Sequence, residues 1–276
     1  MAATIRALTA QDSPVVLDFL NRDPITHIFL LSRVYAGALT LPGSPLWGCW
    51  DGVQLVSVCH TGTNLVVAGH HSDALDLFVE LVGSRRYCSF IMGEARVTSD
   101  FYERLCHGYG SVWDRPREIR SYQPIMAMTA ESAFPANPRV RVMDHRDLDA
   151  YFRAAVAMYT EELGVSPLDR SGGYRQYVIS LIRQSKAFGI LEADQVIFKT
   201  DLGVSIPGVC QLQGVWVHPD YRRHGIGAGA IAAVTNHCLS QYGTVSLYVN
   251  DFNEAALATY RKVGFQQVGA MATILY

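Results

Sequence analysis

The stretch GVWVHPDYRRHGIGAGAIAAV, residues 214–234, and its continuation VSLYVNDFNEAALATYRKVGF, residues 245–265, decide how this chain is read. The first piece closes a strand running from Val209 to Val217, turns at His218 and Pro219, and opens an alanine-rich helix with Arg222-x-x-Gly225-x-Gly227. The first turn of any helix leaves several backbone N–H groups without partners, and the macrodipole adds about half a positive charge there. Gly225 and Gly227 remove the Cβ atoms that would keep a pyrophosphate from those donors, while Arg222 and Arg223 bring charge to the rim. That order describes an anion site.

A glycine pair after a strand is also an ordinary strand-to-helix turn, so the second piece has to decide. Thr244 to Asn250 alternates and is rich in β-formers; Asn253 followed by Glu254 reads as a helix N-cap with an acid in the first turn. Ala256 and Tyr260 are four apart and share one helix face, and Gly264 suits a left-handed C-cap. Taken together, V-x-V-H-P-x-x-R, R-x-x-G-x-G and N-x-x-A-x-x-x-Y-x-x-x-G-F stand in register. Residues 209–275 thereby resemble the coenzyme A half of the GNAT (Gcn5-related) N-acetyltransferase superfamily.

The resemblance implies roles for particular residues. Backbone groups of Val215, Trp216 and Val217 would meet the pantetheine arm and the thioester carbonyl as an oxyanion donor. The main-chain amides of Arg222, Arg223, His224, Gly225, Ile226 and Gly227 would hold the pyrophosphate of acetyl-CoA. Asn253 would hydrogen-bond the pantetheine, and Tyr260 would sit beside the sulfur. A phenol with a pKa near about 10 can protonate a thiolate whose own pKa is about 8.5, which makes Tyr260 the general acid.

The proton acceptor is less legible. An amine with pKa about 10.4 is almost wholly protonated at neutral pH, so a base is useful. Many family members carry a glutamate on the strand before V-x-V, where this chain has Gln211 and Gln213. Glu161 and Glu162, in AMYTEELGVSP, lie where the family's first helices bend over the acceptor pocket. Adjacent residues on a helix point in different directions, so at most one of the two faces the pocket, with Glu162 preferred. A solvated acidic turn is the competing reading, and His218 is a further candidate. The six cysteines show no C-x-x-C pair and no metal-like spacing with histidine, which favours direct attack in a ternary complex and no metal.

At 276 residues the chain suits two domains, each burying its own core. A net charge of −2 offers no basic stripe for nucleic acid, and no apolar run approaches the roughly 20 residues needed to cross a bilayer. A cytoplasmic protein is expected. The prolines and small residues of TAESAFPANP mark a boundary, giving a first domain over 1–130, a linker over 131–138 and an acetyl-CoA-binding domain over 139–276.

The front of each half repeats one pattern. TIRALTAQDSPVVLDFLNRDP and RVRVMDHRDLDAYFRAAVAMY both read as a strand with arginine, then an aspartate near a helix start, as an internal duplication would give. In the first half, residues 45–69 read as antiparallel strands with a hairpin at Asp51-Gly52, SDALDLFVELVGS as a helix, CSFIMG as a strand, and SDFYERLCHGYG as a helix capped by Ser99. Nothing there reproduces R-x-x-G-x-G, so one cofactor site per chain is expected. The fold class is α+β, with two GNAT-like domains, each a mostly antiparallel sheet flanked by helices, the first of them divergent.

The function expected is N-acetyl transfer from acetyl-CoA to a small-molecule or peptide amine, by a monomer or homodimer without nucleic-acid or membrane partners. A non-catalytic acyl-CoA-binding sensor is the alternative. Aminoacyl transfer is a third reading, since tandem GNAT-like halves also occur in peptidoglycan-bridge enzymes, although those would not need a phosphate cradle.

Overall fold

Each half of the chain spells out the same order of elements, β-α-α-β-β-β-α-β-α-β, in a computed structural model that describes residues 3–168 and 170–276. The first half comprises β1 (Thr4–Ala7), α1 (Ser13–Leu20), α2 (Ile28–Tyr35), β2 (Leu46–Asp51), β3 (Gln54–Thr61), β4 (Asn64–Ala68), α3 (Ser72–Val82), β5 (Phe90–Glu94), α4 (Ala95–Trp113) and β6 (Glu118–Met128). The second comprises β7 (Arg141–Val142), α5 (Leu148–Leu163), α6 (Gly173–Arg183), β8 (Ala187–Glu192), β9 (Gln195–Ile206), β10 (Val209–Val217), α7 (Ile226–Tyr242), β11 (Thr244–Tyr248), α8 (Glu254–Val263) and β12 (Gln266–Leu275).

The repeat extends to one ion pair. Arg6 on β1 makes two hydrogen bonds to Asp12, at 2.8 and 2.6 Å, and Arg141 on β7 makes two to Asp147, at 2.6 and 2.7 Å. Each aspartate also accepts a backbone N–H three residues back, from Thr9 or Asp144. A single carboxylate so ties the strand to the start of the following helix. The Arg6 hydrogen bond lowers Asp12 to about 2, and the Arg141 hydrogen bond lowers Asp147. A carboxylate depressed in the folded state contributes stability that is present above its unfolded value, near 3.9, and is lost as pH falls through the folded value. Allowing for the half-exposed guanidinium, each pair is expected to contribute about 1 kcal/mol that drains away as pH falls below about 4, for Asp12 by about pH 2. Thermal unfolding measured at pH 5 and pH 2.5 checks this: Arg6→Gln and Arg141→Gln should each flatten the acid limb.

By their contacts the residues form two compact units. One holds the chain up to Ile125 with Tyr248–Phe252 and Gln267–Tyr276; the other holds Met126–Leu247 and Asn253–Gln266. In the first unit β1, β2, β3 and β4 pair antiparallel in sequence order, β5 joins β4 in parallel, and β12 lies antiparallel to β5 from Met271↔Glu94 to Leu275↔Phe90. The units therefore do not follow chain order at the carboxyl end: β12 closes the sheet of the first. Phe78, Phe101, Leu105 and Trp113 of α3 and α4 fill the core on one face of that sheet. Burying such side chains contributes about 1.5–3 kcal/mol each. The hairpin at Asp51-Gly52 forms, with Gly52 at φ +58°. One detail differs from the sequence reading. Helix α4 begins at Ala95, four residues before Ser99, because the Glu94 carboxylate caps it by accepting from Arg96 and Val97 N–H.

In the second unit β7, β8, β9 and β10 pair antiparallel in order, and β11 joins β10 in parallel. Helices α5 and α6 bury Tyr151, Ala155, Val178 and Leu181 with Trp216 of β10. Half of the buried residues of helix α7 are alanine or glycine, and neighbouring backbone comes close: Asn137 N–H bonds the Gly229 carbonyl at 2.9 Å. A Cβ at Gly229 would stand 3.3 Å from the Pro135 carbonyl.

Candidate active site

Strand β10 occupies Val209–Val217, as its β-forming sequence predicts, and its two edges behave differently. Toward β9 it is paired almost throughout, with register shifts at Gln211/Leu212 and between Gln213 and Trp216. Toward β11 the parallel ladder covers Val209↔Thr244, Cys210↔Val245 and Gln211↔Ser246, and then stops. Beyond Gln211 the two strands part, leaving the end of β10 without β11 as a neighbour. Gly214, in the second bulge, has φ +57°, a left-handed conformation that glycine adopts without strain. Bulges re-aim backbone groups and are common beside active sites. Here the bulge falls where the strands separate.

The chain then reaches the predicted anion mouth. Gly225 is the N-cap of α7 at φ +77°, and among the described residues no side chain caps that end. A Cβ at Gly225 would meet nothing within 4 Å, so conformation rather than space calls for glycine there. Arg223, at φ +64°, is a second left-handed residue in the same loop. Arg222, Arg223, His224 and Gly225 are exposed, and Ile226 and Gly227 half-buried. Arg222 does not project freely: its Nε donates to the Val217 carbonyl at 2.9 Å and its other nitrogen to Glu161 at 2.7 Å.

Glu161 and Glu162 divide as adjacent helical residues should. Glu161 accepts from Arg222 and, at 3.0 Å, from the indole N–H of Trp216, and the Arg222 hydrogen bond pulls its pKa down. A carboxylate so held is a weak base. Glu162 is exposed, and its charge acts on Tyr260 and on Tyr174 of α6. Tyr260 is buried, its ring edge-to-face with Phe265 at 5.9 Å, and burial followed by the Glu162 charge raises its pKa above the ordinary phenol value. The fold thus brings Tyr260 and Glu162, about a hundred residues apart in sequence, into one electrostatic neighbourhood.

Other sequence candidates have local duties. The Asn253 side chain caps α8 by accepting from Ala256 N–H at 3.1 Å. His218 accepts from Asp220 N–H and lies 2.8 Å from the Gln195 amide. Gln213 donates to Gln211 at 3.1 Å, so the two amides that replace a carboxylate on β10 bind each other. A cavity of about 610 Å³ between α5 and the β8–β9 turn is lined by Ala154, Ala157, Glu161, Trp216 and His218 among others. The alanines that open it carry no signal in sequence.

The sequence reading also missed a charged group. Lys199 and Asp201 on β9 are buried and paired at 2.7 Å, and Tyr151 of α5 bonds Asp201 at 2.5 Å. The signal was present in VIFKTDL, where a lysine and an aspartate interrupt an apolar strand.

Residues 159–265 match the family described as Acetyltransferase (GNAT) family, and residues 44–151 match a domain of unknown function, DUF4081. Among curated proteins no match was found. Solved structures resemble the chain over nearly its whole length at low identity. A GCN5-related N-acetyltransferase from Sphaerobacter thermophilus has a TM-score of 0.65 at 14% identity, covering 99% of this chain and 94% of its own. A tandem GNAT protein from the clavulanic acid biosynthesis pathway has 0.57 at 11%, covering 99% and 98%. An acetyltransferase from the GNAT family of Colwellia psychrerythraea has 0.55 at 14%, covering 99% of both. With the parted strands, the bulge and the uncapped helix at the positions the motifs mark, residues 159–265 match the GNAT family and the whole chain has the fold of two-domain GNAT proteins, with a divergent N-terminal half.

Proposed function

We propose that the chain is an N-acetyltransferase that moves an acetyl group from acetyl-CoA to an amine by direct attack in a ternary complex. The observation that carries this reading is the coincidence of three backbone features: a parallel ladder that ends at Gln211, a bulge at Gly214, and an uncapped α7 amino terminus. Unpaired amides at a helix start satisfy a pyrophosphate, and a strand edge released from its neighbour can accept an extended arm. Val215, Trp216 and Val217 would flank that arm, residues 222–227 would hold the phosphates, and Asn253 would lie alongside.

The bound thioester supplies an activated acyl carbon, at which amine attack forms the amide and releases the thiol. Val215 N–H, next to the bulge, would hydrogen-bond the oxyanion. Tyr260, kept protonated by burial, would donate to the sulfur as negative charge builds there. Glu162 would attract the ammonium form of the acceptor and take its proton. Glu161 is assigned to the loop through Arg222. Because that pair is largely exposed, Glu161→Gln is expected to weaken acetyl-CoA binding by no more than about fivefold, read by calorimetry.

The acceptor is a small-molecule or peptide amine, the protein acts as a monomer or homodimer, and one cofactor site serves each chain. Among the described residues no helix is long and apolar enough to cross a membrane, and the six cysteines are unpaired thiols, which a cytoplasmic place of action fits. Thiol release from acetyl-CoA, followed across a panel of amines and peptides, tests the reading. A second reading, an acyl-CoA sensor, is favoured by the Gln211–Gln213 pair in place of a carboxylate. Saturable acetyl-CoA binding with no thiol released by any acceptor would select it.

A further inference from the structure

Lys199 has none of its surface exposed, and Asp201 is 5% exposed. The lysine ammonium lies 2.7 Å from Asp201 Oδ2 and donates to the Gly214 carbonyl at 3.0 Å. On the neighbouring residue of β9, Thr200 Oγ1 donates to the Gln213 carbonyl at 3.1 Å. Both carbonyls of the β10 bulge are therefore held by side chains of β9. The peptides concerned are trans, so the N–H of Gly214 lies opposite the Gln213 carbonyl and the N–H of Val215 opposite the Gly214 carbonyl. Holding the Gly214 carbonyl on the lysine fixes the plane of that peptide, and with it the direction of Val215 N–H, beyond the point where the β11 ladder ends at Gln211.

Stability alone does not account for this arrangement. A buried ion pair is often replaceable by apolar side chains of similar shape at no net loss, because desolvation offsets the attraction. An apolar pair would not hold a carbonyl. A Cβ at residue 214 would stand 2.9 Å from Lys199 Nζ and 3.1 Å from Asp201 Oδ2, so the close approach of this pair to the backbone depends on glycine there. We infer that Lys199 is a positioning residue, whose buried ammonium, set by Asp201 and Tyr151, fixes the Gly214 peptide so that Val215 N–H faces the acyl oxygen. This rests on the acetyl-transfer reading above.

The test compares the protein with Lys199→Met/Asp201→Asn, in which neither buried partner is left charged, and with Lys199→Gln/Asp201→Asn, which restores a donor. The first is expected to fold, to bind acetyl-CoA within about threefold of the parent and to lose turnover on the order of 10- to 30-fold, a fraction of what removing an oxyanion donor outright costs. Acetyl-CoA should shift the Gly225, Gly227 and Val215 amide resonances of the parent; in the first variant the Val215 shift should vanish and the others persist. The second should recover part of both turnover and the Val215 shift. Parental turnover with a parental Val215 response in the first variant overturns the inference alone. Failure of both variants to fold overturns it as well, by making the network a requirement of folding. No response at Gly225 or Gly227 in the parent removes the acetyl-transfer reading, and this role with it.

Discussion

Tyr260→Phe is expected to lower kcat about 100-fold while acetyl-CoA affinity stays within about twofold. The ring itself is packed against Phe265 and remains in the variant, so folding and the shape of the site persist. What is lost is one O–H, placed by burial and by the Glu162 charge in surroundings that disfavour a phenolate. A phenol with a raised pKa stays protonated through the neutral range, so no loss of activity from its ionisation is expected below about pH 10. It would act more as a hydrogen-bond donor to developing sulfur charge than as a source of a fully transferred proton, because a thiol is the stronger acid. Steady-state kinetics with the best acceptor, together with calorimetry, separates the two parameters. Turnover at the parental rate in the phenylalanine variant would remove Tyr260 from the chemistry.

Gly227→Asp should abolish useful cofactor binding without harming the fold. A Cβ at this position meets Val217 Cγ2 at 3.5 Å, an ordinary contact, so the side chain can be accommodated. An acid in the first turn of α7 is favourable to the helix by about 0.3–1 kcal/mol. The same carboxylate would compete for the amides that a pyrophosphate needs and would repel it. Opposed like charges cost several kcal/mol, so acetyl-CoA affinity should fall on the order of 100-fold while the thermal midpoint holds or rises. The opposite signs of the two effects make the variant informative. An unchanged dissociation constant would show that the α7 amino terminus does not hold the phosphates.

The backbone of the site was legible in the sequence and its electrostatics was not. Val209–Val217, the Gly225 turn, the Asn253 cap and the Gly264 C-cap follow from local rules of strand, turn and helix, and all four form as read. The duplicated arginine–aspartate pattern was visible for the same reason, since both partners lie six residues apart. The parting of β10 from β11 depends on tertiary pairing that no local pattern encodes. The division of labour between Glu161 and Glu162 required knowing which helix face meets Arg222. Lys199 escaped because a lysine in a strand ordinarily lies on a solvated edge, and only three-dimensional packing reveals a partner two residues on, across from Tyr151. The misplaced start of α4 has a simpler cause: Ser99 is a better cap by type, but Glu94 stands where β5 ends and its carboxylate reaches two amides.

The position of β12 beside β5 bears on how the polypeptide matures during translation. Residues 267–276 emerge from the ribosome after the whole second unit, roughly 140 residues later than Ile125. At elongation rates of about 5–20 residues per second, the nascent first unit waits roughly 7–30 s for its last strand, long compared with the folding time of most small domains. During that interval the exposed rim of β5 is a template for stray pairing, the kind of vulnerable surface that nascent-chain chaperones shield.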